Sequence, residues 1–319
     1  MRRALVGNTG FVGSNLEATL EFDACVNSKN VEKLYGTNPE VLVYAGVRGT
    51  KFIANSNPDE DWKNIEAAER NIMNINPKRL LLISTVDVYD DLNEKDESHI
   101  INPQKLHCYG KNRYMLEEWA RGNVDNCQIL RLPAIFGINL KKNFIHDLID
   151  PIPKYLTEER FEKICEDKNI STYYELKKGL YELKCADEKL YDFFINSPYC
   201  AVYFTDSRAQ YQYLDLRLLF KVVEAVLNSD IDVLNCVTEP IISSELYYEI
   251  YGENFENRLC DNPIKYNLKT CKKIDLFGAS TGWLMNKDEE MELLKRYIYE
   301  ESVKLKKQLL EKGVGKYGQ

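Results

Sequence analysis

Apolar residues open the chain as short runs, with helical stripes between them. Ala4-Leu5-Val6 is a strand-like run, and Val12, Leu16 and Leu20 then recur four apart, the spacing of one buried helix face. Ala24-Cys25-Val26 reads as a second strand and Val41 to Ala45 as a third, with Gly46 letting the chain leave it close to a ligand. Asp59 to Ile75 is a helical pattern ended by Asn76-Pro77. Leu80 to Ile83 is a continuous apolar run, as in a central parallel strand. A helix opens at Tyr109 and reaches about Arg121, and Gln128 to Leu132 is another strand, closed by Pro133. Strand and helix in alternation predict an α/β fold with a doubly wound parallel sheet.

The alternation stops there. Residues 143 to 200 carry helical patterns rich in Tyr, Phe, Lys and Glu, with no clear strand. Gln210 to Leu214 alternates like a short strand, Leu216 to Asn228 reads as a helix and Val233 to Val237 as a further strand. Ser243 to Tyr251 is a short helix. A long C-terminal helix follows, with Asn286 and Glu289 spaced as a capping box. The expected organisation is a dinucleotide-binding domain of residues 1–137 and 214–238 and a smaller, mostly helical substrate domain of residues 138–213 and 239–285. Residues 286–319 form the C-terminal helix and tail.

Composition narrows the function. Hydrophobic residues at 44% suffice for a full core in a chain of 319 residues. The net charge of −8 argues against a nucleic-acid surface and offers no polybasic patch for a membrane. No stretch reaches the length of a membrane span, and Arg2-Arg3 precedes too short an apolar run for a signal peptide. Nine cysteines without paired spacing read as reduced thiols of a cytoplasmic protein. His99, His107 and His146 are not spaced as metal ligands, so no metal is expected.

The first strand and helix enclose Gly7-x-x-Gly10-x-x-Gly13. Gly7 permits the turn, Gly10 lets the backbone approach a pyrophosphate, and Gly13 lets the helix lie close on the strand. Phosphates then sit over the unpaired N–H groups of Thr9, Gly10, Phe11 and Val12 at the positive end of a helix. An ordinary tight turn needs the same glycines. The strand before, the helix after and a second signal twenty residues on favour the nucleotide. That second signal is Asn27, where an NAD binder places an acid on the adenosine ribose. The acid is missing, and Ser28 and Lys29 offer a hydroxyl and a cation suited to a 2′-phosphate. This tilts the cofactor towards NADP, with NAD as the alternative.

Three groups then coincide. The glycine turn, Thr85 four residues before Tyr89, and Tyr109-Gly110-x-x-Arg113 resemble the extended short-chain dehydrogenase/reductase family, with its Rossmann fold, and more narrowly its nucleotide-sugar epimerases, dehydratases and reductases. Leu130 to Gly137, with Pro133, resembles the strand and loop flanking the nicotinamide, and Ala45 ends a strand at the same edge. The resemblance covers roughly residues 1 to 240 and is specific in the first 137. It implies that Tyr109 handles the proton, with Thr85 bonding the same substrate hydroxyl. It implies that the cation one helical turn on lowers the phenol's pKa and meets the ribose hydroxyls of the cofactor. Here that cation is Arg113, where the family has Lys. The charge survives, but the flat fork meets the ribose differently. Substrate contacts are implied for Asp87, His107, Lys142, Asn143 and Gln210. Asp87 is half of the acid pair that dehydratases carry, with Val86 in the other place.

The sequence therefore predicts an NAD(P)-dependent enzyme acting on a nucleotide-linked sugar through a keto-sugar, by epimerisation, dehydration or reduction. The rival is a dinucleotide-binding sensor or scaffold without turnover. A homodimer is expected through the helices Asp59 to Ile75 and the one after Tyr109, where Tyr114, Leu116, Trp119 and Ala120 make an apolar surface. The same surface is explained by packing on the chain's own sheet. Met291, Leu294, Ile298, Leu305 and Leu309 form a second stripe, suited either to the body or to a second subunit.

Overall fold

The computed structural model describes residues 1–165, 170–177, 179–274, 276–278 and 282–314. The chain divides into two compact units. The first holds Met1–Leu140, Gln210–Ile241 and Lys265–Glu290, and the second Lys141–Ala209, Ile242–Ile264 and Met291–Gln319. Of the C-terminal segment expected from the sequence, residues 315–319 lie outside the described residues.

The first unit is built on a six-stranded sheet. Its elements are β1 (Arg3–Val6), α1 (Phe11–Glu17), β2 (Ala24–Val26), β3 (Val41–Tyr44), α2 (Lys51–Ser56), α3 (Pro58–Ile75), β4 (Leu80–Thr85), α4 (Cys108–Asn123) and β5 (Cys127–Leu132). The strand order is β2-β1-β3-β4-β5, followed by the strand Val233–Asn235, and every pairing is parallel. Side chains alternate between the two faces. Ala4, Val6, Leu42, Leu80 and Leu82 pack with Ile65, Ile72, Leu116 and Ala120 of α3 and α4. Leu5, Val43 and Leu81 face the other way, onto Leu16 of α1 and Val222, Val223 and Val226 of the helix Leu219–Leu227. Both faces are covered, which is why these strands read as unbroken apolar runs. This is the doubly wound α/β sheet that the sequence predicts.

Beyond β2 the sheet ends. The segment between β2 and β3 contains only the 3₁₀ turn Val31–Leu34. Because the strands are parallel, the glycine turn after β1, Ala45 after β3 and Thr85 at the end of β4 share one edge of the sheet.

Several expectations are corrected. Leu116 and Ala120 are buried in the chain's own core, with Trp119 packed against it, so that part of the apolar surface of α4 is used internally. Residues 265–290 belong to the first unit, where 239–285 were expected in the substrate domain and 286–290 in the C-terminal segment. The strand expected at Gln210 to Leu214 divides into Gln210–Tyr211 and Tyr213–Asp215, and the latter pairs with Ala134–Phe136.

The second unit contains the helices Phe144–Ile149, Glu158–Ile164, Glu188–Ile195 and Ser243–Tyr251 and most of the helix Lys287–Val314. It also contains strands where none was expected. Tyr155–Leu156, Tyr174–Lys177 and Leu180–Leu183 form an antiparallel sheet with the last strand in the middle. Lys177 pairs with Leu180, and Gly179 takes the turn between them at φ 83°. Such short strands leave only two or three alternations, too few to stand out in a Lys- and Glu-rich stretch.

Candidate active site

The glycine turn is as tight as its spacing implies. Gly7 sits at φ 99°, and a Cβ on Gly13 would lie 2.1 Å from the Gly7 carbonyl oxygen. The Gly7 and Asn8 amides bond the Val26 carbonyl of β2, and the Gly10 amide bonds the Gly7 carbonyl. Gly10 precedes α1 without any side-chain cap, and Thr9 and Gly10 are exposed. Phe11 and Val12 pack partly on the core. Buried Asn15 ties α1 to the loop after β5, bonding the carbonyl and amide of Ile138 at 3.0 and 2.9 Å. Asn27 uses its side chain to accept from the Lys29 amide at 2.9 Å, leaving the Ser28 and Lys29 side chains exposed beside the turn's strand. Ala45 donates its amide to Val6, and Pro133 lies half-buried after β5.

Thr85, Asp87, His107, Tyr109 and Arg113 come together at the end of β4 and the start of α4. A Cβ on Gly110 would lie 2.0 Å from the Asp87 carbonyl oxygen, so only glycine lets helix and loop touch here. Two side chains cap the helix. His107 Nδ1 accepts from the Gly110 amide at 3.1 Å, and Asn55 of α2 accepts from the Tyr109 amide at 3.0 Å. A ring nitrogen that accepts a hydrogen bond carries no proton. The His107 pKa is lowered, by burial first and then by the nearby Lys51 charge.

Tyr109 is 9% exposed. Burial raises its phenol above the ordinary value, Arg113 draws it down, Asp87 pushes it up, and the Thr85 hydroxyl beside it draws it down again. The Arg113 guanidinium lies over the Tyr109 ring, its Cζ 4.0 Å from the centroid. Its Nη1 donates to Asp61 Oδ2 and to the Tyr109 carbonyl, its Nη2 to Asp61 Oδ1 at 2.9 Å and to the Arg48 carbonyl at 2.5 Å. Asn112 also donates to Asp61 Oδ2, at 2.8 Å. All four Nη hydrogens are thus committed to protein acceptors, and Arg113 is as buried as Asp61. The end of the fork expected to meet a ribose is thus held by Asp61 and by backbone carbonyls.

Asp87 is committed in a different way. Its Oδ1 accepts from Lys51 Nζ at 2.8 Å and from the Tyr266 hydroxyl at 2.7 Å. Burial and the adjoining carboxylate raise the Tyr266 phenol far above its usual range. Val86, in the place of a second acid, is a buried apolar residue. Gln210 holds the Tyr266 segment, its Nε2 donating to the Tyr266 carbonyl at 3.1 Å. Lys142 and Asn143 lie in the second unit, where Lys142 is exposed and Asn143, at φ 117°, caps the helix Phe144–Ile149 by accepting from the His146 amide.

Sequence reasoning missed Asp61, Lys51 and Tyr266. Asp61 had a signal: it falls four residues before Ile65 on the buried stripe of α3, a carboxylate at a core position. Lys51 and Tyr266 had none, because what distinguishes them is a partner 36 or 179 residues away.

No protein-family model and no curated protein matches the chain. Solved structures do. A dTDP-4-dehydrorhamnose reductase from Yersinia enterocolitica is 12% identical with a TM-score of 0.59, covering 93% of this chain and 99% of that one. One from Bacillus anthracis, in complex with NADP, is 14% identical with a TM-score of 0.58, covering 94% and 99%. A UDP-glucose 4-epimerase from Thermotoga maritima, with UDP-glucose, is 16% identical with a TM-score of 0.51, covering 83% and 86%. At such identities the likeness is one of fold: the chain has the Rossmann-type architecture of these nucleotide-sugar reductases and epimerases.

Proposed function

We propose that the protein is an NADP-dependent reductase or epimerase that interconverts a hydroxyl and a carbonyl on a nucleotide-linked sugar. The observation that carries this reading is the placement of Tyr109 beside Thr85 at the sheet edge that also holds the glycine turn. The turn fits a dinucleotide: Gly13 admits no side chain, and Gly10 leaves the start of α1 uncapped, so the backbone from Thr9 to Gly13 would hold the pyrophosphate. Lys29, exposed and next in line after β2, would take a 2′-phosphate. The bound cofactor supplies or accepts a hydride.

The chain's own residues handle the proton. Tyr109 exchanges it with the sugar oxygen, and Thr85 fixes that oxygen by a second hydrogen bond. Asp87, held by Lys51 and Tyr266, forms a polar wall for the neighbouring hydroxyls. Dehydration is the less supported outcome, because Asp87 is already paired and Val86 supplies no second acid. The fold's likeness to a reductase solved with NADP and an epimerase solved with UDP-glucose supports the substrate and cofactor classes.

The test is NADPH binding by fluorescence, followed by NADPH oxidation at 340 nm with a panel of nucleotide-linked keto-sugars and epimer exchange with the parent sugars. Turnover in one of these confirms the reading. Binding without turnover across the panel would favour a sensor, and absence of dinucleotide binding would overturn the reading altogether.

A further inference from the structure

We propose that Asp61 is a positioning residue for Tyr109, and that Arg113, locked between them, is a clamp on the phenol ring rather than a ligand of the cofactor's ribose. The assignment rests on the reductase or epimerase reading above for its meaning in catalysis, and on three observations for its geometry. First, the guanidinium is stacked on the Tyr109 ring at 4.0 Å, so displacing it displaces the ring. Second, its four Nη hydrogens bond Asp61, Arg48 and Tyr109 itself, so the two-pronged end of the fork is engaged within the protein. Third, Asp61 is only 5% exposed and is anchored independently by Asn112, so the acceptor that aims the fork is itself fixed.

The pair also changes the electrostatics at the phenol. A lone cation one helical turn away stabilises the phenolate. An arginine neutralised by a carboxylate at hydrogen-bonding distance presents a dipole, whose field at the ring is weaker. Asp61 accordingly pushes the Tyr109 phenol up while Arg113 draws it down. Removing the acid while the Arg48 and Tyr109 carbonyls keep the arginine on the ring should therefore make the phenol more acidic.

Two measurements decide the assignment. In protein labelled with [¹³Cζ]tyrosine, the Tyr109 resonance is identified by its loss in Tyr109→Phe and followed against pH without cofactor. Asp61→Asn is expected to lower its ionisation midpoint by about one pH unit, and an unchanged or higher midpoint would overturn the positioning role. If Asp61→Asn does not fold, Asp61→Glu carries the test. It keeps the charge and moves it by one methylene, so kcat should fall at unchanged KM, and parental kcat would overturn the proposal. The second measurement is NADPH affinity in the neutral double variant Asp61→Asn, Arg113→Gln. A clamp predicts a dissociation constant within about threefold of the parent. A ribose ligand predicts weakening of roughly tenfold or more, the cost of a lost charged hydrogen bond, and that result would overturn the clamp. A parent that binds no NADPH would refute the proposed function, while the resonance titration would still judge Asp61.

Discussion

Two buried clusters touch helix α4, and each lays a carboxylate-paired guanidinium over a tyrosine ring. One joins Asp61, Arg113 and Tyr109. The other joins Glu117, Arg131 and Tyr89, with the Arg131 carbon 5.0 Å from the ring centroid. They differ in what becomes of the phenol oxygen. The Tyr89 hydroxyl accepts from Arg131 at 2.8 Å and from Asn235 at 2.9 Å, and donates to the Asp96 carbonyl at 2.9 Å. Burial pushes that phenol up to about 12. The Tyr109 hydroxyl has Thr85 beside it and no such set of partners among the described residues. The same three groups, a carboxylate, a guanidinium and a phenol, therefore build a sealed joint in one place and the proposed site in the other, and the unspent hydrogen-bonding capacity of the phenol distinguishes them.

The sharpest break of this comparison is to remove each oxygen in turn. Tyr109→Phe should lower turnover by about 10³-fold, within the range of general acid–base catalysis, with dinucleotide affinity nearly unchanged. Tyr89→Phe should keep turnover near the parent's and instead lower stability by about 1–2 kcal/mol through unpaired Asn235 and Arg131 donors. Steady-state rates and denaturant melts on both variants check the contrast. A Tyr89→Phe enzyme as slow as Tyr109→Phe would mean that the two clusters are not functionally distinct.

Next in size is the sealed joint's ion pair. Glu117 is fully buried, accepts from Arg131 and takes a 2.5 Å hydrogen bond from Ser84, the neighbour of Thr85. Glu117→Ala should cost about 3–5 kcal/mol, because it strands a buried guanidinium. The urea unfolding midpoint measures it, and a loss below about 1 kcal/mol would put the pair among those that contribute little.

How far these clusters were legible from the chain depends on the distance to their partners. The glycine turn, Thr85 and Tyr109 could be found because their spacings are local and each sits where an apolar run stops. Arg113 could be seen but its counter-charge could not, since only the fold brings α3 against it. Glu117, one helical turn after Arg113, is buried together with Tyr109 and Arg113, with Leu116 and Ala120 alongside. A stripe containing charges looks solvated until its counter-charges are known. The parallel sheet was readable for the opposite reason: strands covered on both faces need no partner information to appear as apolar runs.

A smaller effect sharpens the open cluster. Lys51→Met removes one of the two donors to Asp87 Oδ1 while leaving Tyr266 in place. The expected result is a rise in substrate KM of about tenfold, the scale of one hydrogen bond to a charged group, at unchanged NADPH affinity. A change in NADPH affinity alone would remove Lys51 from the sugar side of the site.

The smallest expected effect concerns the cap. In the fold the His107 pKa is depressed below 6.5, mainly by burial, so the unfolded chain binds the extra proton first. Its contribution to stability is therefore full above pH 6.5 and lost as pH falls towards the folded value. His107→Ser keeps an acceptor for the Gly110 amide without a titrating ring. Its melting temperature should decline less than the parent's between pH 6.5 and pH 5, and parallel declines would dismiss His107 as the source.

Gly110 packs its backbone against the Asp87 carbonyl at a separation that no side chain could share. Any side chain at this position would force the segment bearing Thr85 away from the helix bearing Tyr109. Over evolutionary time such a weld would confine change: the chemical step is inherited as a block, and a lineage acquiring a new sugar must alter residues outside it. In a directed-evolution library, variants with new specificity should accumulate at positions such as Lys51 and Tyr266, while Gly110 stays untouched.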